Sequence, residues 1–195
     1  MNTTDDTTNT ADALGEGIKA KLSLIQDDAT CQFCNQASVV LMKMEVRLPQ
    51  DIEDEDNHYF YEFIETYRRF LINDRRAPFI LWMRDKSLGQ QRYLCGLFLN
   101  GFCMPSLDGY FQTAETLWCK TLGRSNAQNL IGRCMENDLG QPMENGIRLK
   151  RRWGDNVLVL DTIQLWILDM YHRSCRVRNL EKSHLVFGAS YRRWW

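Results

Sequence analysis

Residues 78–100 read PFILWMRDKSLGQQRYLCGLFLN, and the topology of the whole chain hangs on them. Two runs, 78–85 and 93–100, are rich in aromatic and aliphatic side chains, and the link KSLGQQR at 86–92 supplies a glycine and polar residues. Strand-forming runs joined in this way predict a β-hairpin. Before the hairpin, Phe60, Phe63, Ile64, Tyr67, Phe70 and Leu71 recur at spacings of three and four, so residues 59–73 form a helix with one buried face. Before that helix, SVVLMKMEVRLP at 38–49 begins as an apolar run and continues in alternation through Met42, Met44, Val46 and Leu48. That is a strand stopped by Pro49.

After the hairpin the pattern predicts an amphipathic helix over 106–122, a short strand near 130–134, a turn through Gly140 and Gly146, a brief strand at 147–149 and a helix over 156–173. The order β-α-β-β-α-β is that of a ferredoxin-like split β-α-β fold, with a C-terminal helix added. The fold class is α+β, an antiparallel sheet with helices on one face.

With 195 residues, of which 44% are hydrophobic and six are tryptophan, the chain can bury a full core. Residues 1–15 are polar and threonine-rich and read as a disordered tail, followed by a short helical segment near 17–26. The rest, 16–195, reads as a single domain. No run approaches the roughly 18 apolar residues of a membrane span, and the first residues lack the basic start and apolar stretch of a secretory signal. A cytoplasmic protein is expected. Seven cysteines without regular spacing fit reduced thiols better than a disulfide framework. The pair Cys31 and Cys34 lacks a second pair of ligands at zinc spacing, because His58, Cys95, Cys103, Cys119, Cys134 and Cys175 are scattered.

The net charge of -1 conceals an uneven distribution. Residues 1–146 hold 14 Lys and Arg against 21 Asp and Glu, whereas residues 147–195 hold 10 against 4. In the basic quarter Arg148, Lys150, Arg151 and Arg152 cluster beside Trp153, and Arg173, Arg176 and Arg178 follow the last predicted helix. Arginine beside aromatic rings suits a phosphate backbone or an acidic protein face. The terminal Arg192, Arg193, Trp194 and Trp195 are of the types enriched at interface hot spots, though such residues also fold back over apolar patches. The run DIEDED at 51–56, with five carboxylates in six residues, lacks the glycine and spacing of a calcium loop and reads as a solvated linker. P-loop, GxGxxG and GxSxG patterns do not occur.

The strand ending VRLP, the strand pair with WMRD and LFLN, the helix with Trp118 and Leu122-Gly123, and FGAS at 187–190 together resemble the YagK/YfjJ C-terminal domain family of prophages and phage satellites. The similarity spans roughly residues 38–190. That family is in turn similar to filamentous-phage replication initiators of the rolling-circle type. In active relatives the strand corresponding to 92–100 starts with His-hydrophobe-His, two imidazoles that hold a divalent metal at the scissile phosphate. Here the positions read Arg92-Tyr93-Leu94. Guanidinium stays protonated and leucine has no lone pair, so neither position can ligate. A nucleophilic tyrosine followed three residues later by lysine is matched by Tyr171, with Ser174 in place of the lysine.

The resemblance therefore implies a non-enzymatic protein without metal or cofactor, acting in the bacterial host cytoplasm. Its expected partner is a phage or host protein of DNA packaging or replication, such as a small terminase subunit. DNA is the second partner to weigh, through the basic quarter, and a metal-dependent nickase using Tyr171 is a further alternative.

Overall fold

The computed structural model describes residues 36–85, 90–104, 106–126, 129–135, 144–150 and 187–190, together with positions 23, 24, 27 and 165. In chain order the elements are β1 (Ser38–Arg47), α1 (His58–Asn73), β2 (Phe79–Asp85), β3 (Arg92–Asn100), α2 (Asp108–Thr121), β4 (Ile131–Arg133), β5 (Ile147–Lys150) and β6 (Phe187–Ser190). The predicted tail, the segment near 17–26 except Ser23 and Leu24, and the helix predicted over 156–173 except Leu165 lie outside the described residues.

All six strands join one sheet in the order β4-β1-β3-β2-β6, and β5 pairs with β1 beside β4. Every pairing is antiparallel. Because β3 lies antiparallel between β1 and β2, those two run parallel to each other, with α1 as the connection between them. The chain is α+β, as its sequence predicts. One difference is β6: the segment carrying FGAS forms a strand against β2, pairing Ile80 with Ser190 and Met83 with Phe187. It meets the backbone groups of an edge that would otherwise stay open.

The short β4 and β5 share the outer edge of β1, at Met44 to Val46 and at Ser38 to Leu41. Between them the Asn145 side chain substitutes for a strand. Its oxygen accepts the Lys43 N–H at 2.9 Å and its amide donates to the Lys43 carbonyl at 2.6 Å and the Cys134 carbonyl at 3.1 Å.

Both helices pack on one face of the sheet. Phe60, Phe63, Ile64, Tyr67 and Leu71 of α1, with Tyr110, Ala114 and Trp118 of α2, meet Met42, Met44 and Val46 of β1 and Cys95, Leu97 and Leu99 of β3. Phe60 stacks on Tyr93 with ring centroids 3.8 Å apart, and Trp82 meets both edge-on. Trp118 is fully buried and its indole N–H donates to the Arg47 carbonyl at 3.0 Å, so the ring contributes apolar burial without an orphaned polar group. Each such large side chain is worth about 1.5–3 kcal/mol of transfer free energy.

The helix ends follow from local chemistry. After α1, Arg75 turns left-handed at φ 59° and the Arg76 N–H reaches the Leu71 carbonyl at 2.8 Å. After α2, Gly123 takes φ 63° and the Arg124 N–H reaches the Cys119 carbonyl at 2.9 Å, the same closing motif with the residue that suits it best. The opposite sheet face is buried as well: Val39, Leu41, Phe79, Leu81, Met83, Leu94 and Phe98 are all buried. Strand alternation points them away from α1 and α2. No described helix is long and apolar enough to cross a membrane.

Candidate functional site

The β3 position singled out by the sequence, Arg92, lies at the end of the sheet where β1 and β2 finish and β3 begins. Arg47 and Asp85 stand directly opposite it on the two neighbouring strands, and Glu45 and Met83 stand opposite Leu94. Opposed residues share a face, so Glu45, Arg47, Asp85, Arg92 and Leu94 all project from the face away from the helices. The Arg92 guanidinium donates twice to Asp85 Oδ2, at 2.9 and 2.6 Å, and once to Glu45 Oε1 at 3.0 Å. The other oxygen of Glu45 accepts from Arg47 at 2.8 Å. Two guanidiniums thus alternate with two carboxylates.

Burial pushes the Glu45 carboxyl up, but its hydrogen bonds and charge attraction to Arg47 and Arg92 outweigh this and hold it below its ordinary value. For Arg92, burial acts downward and the Asp85 and Glu45 carboxylates overcome it, so the guanidinium is held charged. A charged guanidinium neither accepts a proton nor donates a lone pair. What this arrangement can do is bind three strands to one another electrostatically. Leu94, buried beside it, adds apolar packing.

On the helix face of the same sheet end lies a second polar network, built around the acidic run. Its Asp54 is 4% exposed, not solvated. One Asp54 oxygen accepts the His58 N–H at 2.6 Å and the other accepts the Phe60 N–H at 3.3 Å, which satisfies two of the open amides at the start of α1. The Tyr93 hydroxyl donates to Asn57 Oδ1 at 2.9 Å and lies 3.3 Å from Asp54 Oδ2. Gln91 reaches the Asp54 carbonyl at 2.9 Å, and buried Arg84 reaches the Glu55 carbonyl at 2.5 Å and Asn57 Oδ1 at 2.9 Å. The expectation of a solvated linker is therefore corrected. Asp51, Glu53, Glu55 and Asp56 are exposed, but Asp54 turns inward because the helix start and the backbone around it need acceptors and donors that water cannot supply there.

No protein-family model, curated protein or solved structure matches the chain.

Of the basic residues singled out by sequence, Arg148 and Lys150 are described, and both are exposed on β5. Arg148 donates to the carbonyls of Gly101 at 3.0 Å and Met104 at 2.6 Å, so it braces the loop after β3. Arg151, Arg152, Arg173, Arg176, Arg178, Arg192, Arg193, Trp194, Trp195, Tyr171, Cys31 and Cys34 lie outside the described residues. Among the described residues no three His, Cys, Asp or Glu side chains come together as a metal-binding group. Cys95 is buried, which pushes its thiol up, Cys103 is exposed, and Cys119 and Cys134 are half-buried.

The sequence reading found Arg92 and Leu94 but missed Glu45 and Asp85, which give Arg92 its setting. A signal was present. Glu45 falls on the odd positions of the alternation in β1, and Asp85 closes the WMRD run, so both are strand residues at the end where β3 starts.

Proposed function

We propose that this chain is a non-catalytic accessory protein of a prophage or phage satellite, which binds a phage or host protein of DNA packaging or replication and redirects it. The observation that carries this reading is the state of Arg92. Where active initiators of the rolling-circle type carry a metal-binding histidine, this chain has a guanidinium occupied by Asp85 and Glu45. The neighbouring ligand position, Leu94, is apolar and buried. Such a site retains the sheet and is devoted to holding it together.

The order β4-β1-β3-β2, with α1 and α2 on one face, supports assigning the fold more finely to the ferredoxin-like split β-α-β class of replication initiators. On this reading, a small terminase subunit is the first partner to examine. DNA is the second reading, favoured by the basic residues of 147–195.

Size-exclusion chromatography of the purified chain mixed with a purified small terminase subunit, and separately with duplex and single-stranded DNA, tests the proposal. A complex with the protein that survives high salt is expected. A complex with DNA alone, whose affinity falls steeply as salt rises, would transfer the function to the second reading. Binding to neither would overturn both.

A further inference from the structure

The end of the sheet opposite Arg92 carries a loop that is fixed along its backbone and apolar at its tip. Phe102 is 68% exposed, more than any other large apolar side chain described. Around it, Arg76 donates to the carbonyls of Asn100 at 3.3 Å and Phe102 at 2.8 Å, and Arg148 donates to those of Gly101 and Met104. The Phe102 N–H donates to the Asn100 side chain at 3.0 Å, and the Gly101 N–H to the Ser38 carbonyl at 2.9 Å. Cys103 at φ 49°, and Arg75 and Ala77 in the adjoining turn at φ 59° and 43°, hold left-handed conformations that side-chain-bearing residues adopt at a cost. A loop ordered in advance can seat its aromatic tip with little further loss of conformational entropy.

Charge identifies what fits this tip. Arg75 precedes Arg76, and Lys150 stands opposite Ser38 in the ladder, so both border the loop; both are exposed and neither forms an ion pair among the described residues. At the other end of β1, exposed Glu53, Glu55 and Asp56 likewise form none, and Tyr61 in the first turns of α1 is 41% exposed. The ten residues of β1 separate the two ends by about 30 Å. Among the described residues, one end therefore carries unpaired basic charge beside an apolar tip, and the other carries unpaired acidic charge beside a partly exposed aromatic ring.

We propose that copies of this chain associate head to tail, with Phe102 of one copy seated against Tyr61 of the next and Arg75 and Lys150 facing Glu53, Glu55 and Asp56. The contact uses two different surfaces, so it propagates along a row of copies instead of closing as a symmetric pair. It is independent of the function proposed above.

Sedimentation of the full chain over a range of concentrations tests it, at about 0.1 M and about 1 M salt, where charges are screened beyond about 10 Å and about 3 Å. The weight-average mass is expected to rise with concentration and to fall at high salt, and Phe102→Ala to weaken association about tenfold or more. Arg75→Glu with Lys150→Glu, and Glu53→Lys with Glu55→Lys, change only exposed side chains. Each pair should be monomeric alone and should associate when mixed. A wild-type chain that stays monomeric throughout, association unaltered in Phe102→Ala, or charge variants that do not associate on mixing would each overturn the proposal.

Discussion

Replacing Arg92 with methionine keeps the apolar stem of the side chain and removes its guanidinium. Asp85, 7% exposed, then loses both hydrogen bonds from Arg92, while Glu45 retains Arg47 as a partner. Removing one member of a fully buried ion pair costs about 3–5 kcal/mol, and a hydrogen bond to a charged group is worth about 1.5–3 kcal/mol. Because the Arg92 side chain is 26% exposed, solvent screens part of the loss. The expected cost is about 2–3 kcal/mol. For a chain of this size that corresponds to a fall in Tm of about 4–12 °C. Urea unfolding of the wild type, Arg92→Met, Asp85→Asn and the double variant isolates the pair. The double variant should lose less than the two single losses together, with a coupling of about 1–3 kcal/mol. A loss below about 0.5 kcal/mol in Arg92→Met, or strictly additive effects, would refute a structural role for the pair.

Asp54→Ala strips two amides of α1 of their acceptor, so urea unfolding should show a loss of about 2–4 kcal/mol, partly recovered in Asp54→Asn. Glu45 is held below its ordinary value of 4.5 in the folded protein, so its contribution to stability is present above that pH and is lost as pH falls below it. Glu45→Gln should accordingly flatten the acid side of the stability profile. Burial, followed by the hydrogen bond to Asp74, pushes the Tyr110 hydroxyl up to about 12 from an ordinary 10. Its contribution is present below pH 10 and is lost as pH rises from 10 to about 12, and Tyr110→Phe should remove the matching late step from an absorbance titration of the tyrosines.

The hairpin, α1 and α2 were legible because their apolar spacing is set by which face each element buries. β6 was not, since a strand of only four residues, Phe-Gly-Ala-Ser, carries almost no periodic signal. Alternation in β1 marks Lys43 and Glu45 as facing away from the helices, yet does not reveal that this second face is covered too, leaving them 2% and 8% exposed. The acidic run misled for a similar reason: five of its six residues carry charge, and only the folded helix start distinguishes Asp54 from its neighbours. Arg92 could be located along the chain, but its partners could not. The Glu45 contact spans 47 positions in sequence and depends on the exact register of β1 against β3, which no local pattern encodes.

The reading of a binding protein is tested most directly by incubating the purified chain with single-stranded and supercoiled DNA and manganese, and resolving the products on a denaturing gel beside Tyr171→Phe. On the proposed reading, in which Arg92 holds the sheet together instead of ligating a metal, neither nicked DNA nor a covalent adduct should form. Nicking or an adduct that disappears in Tyr171→Phe would contradict that reading and make the protein an enzyme.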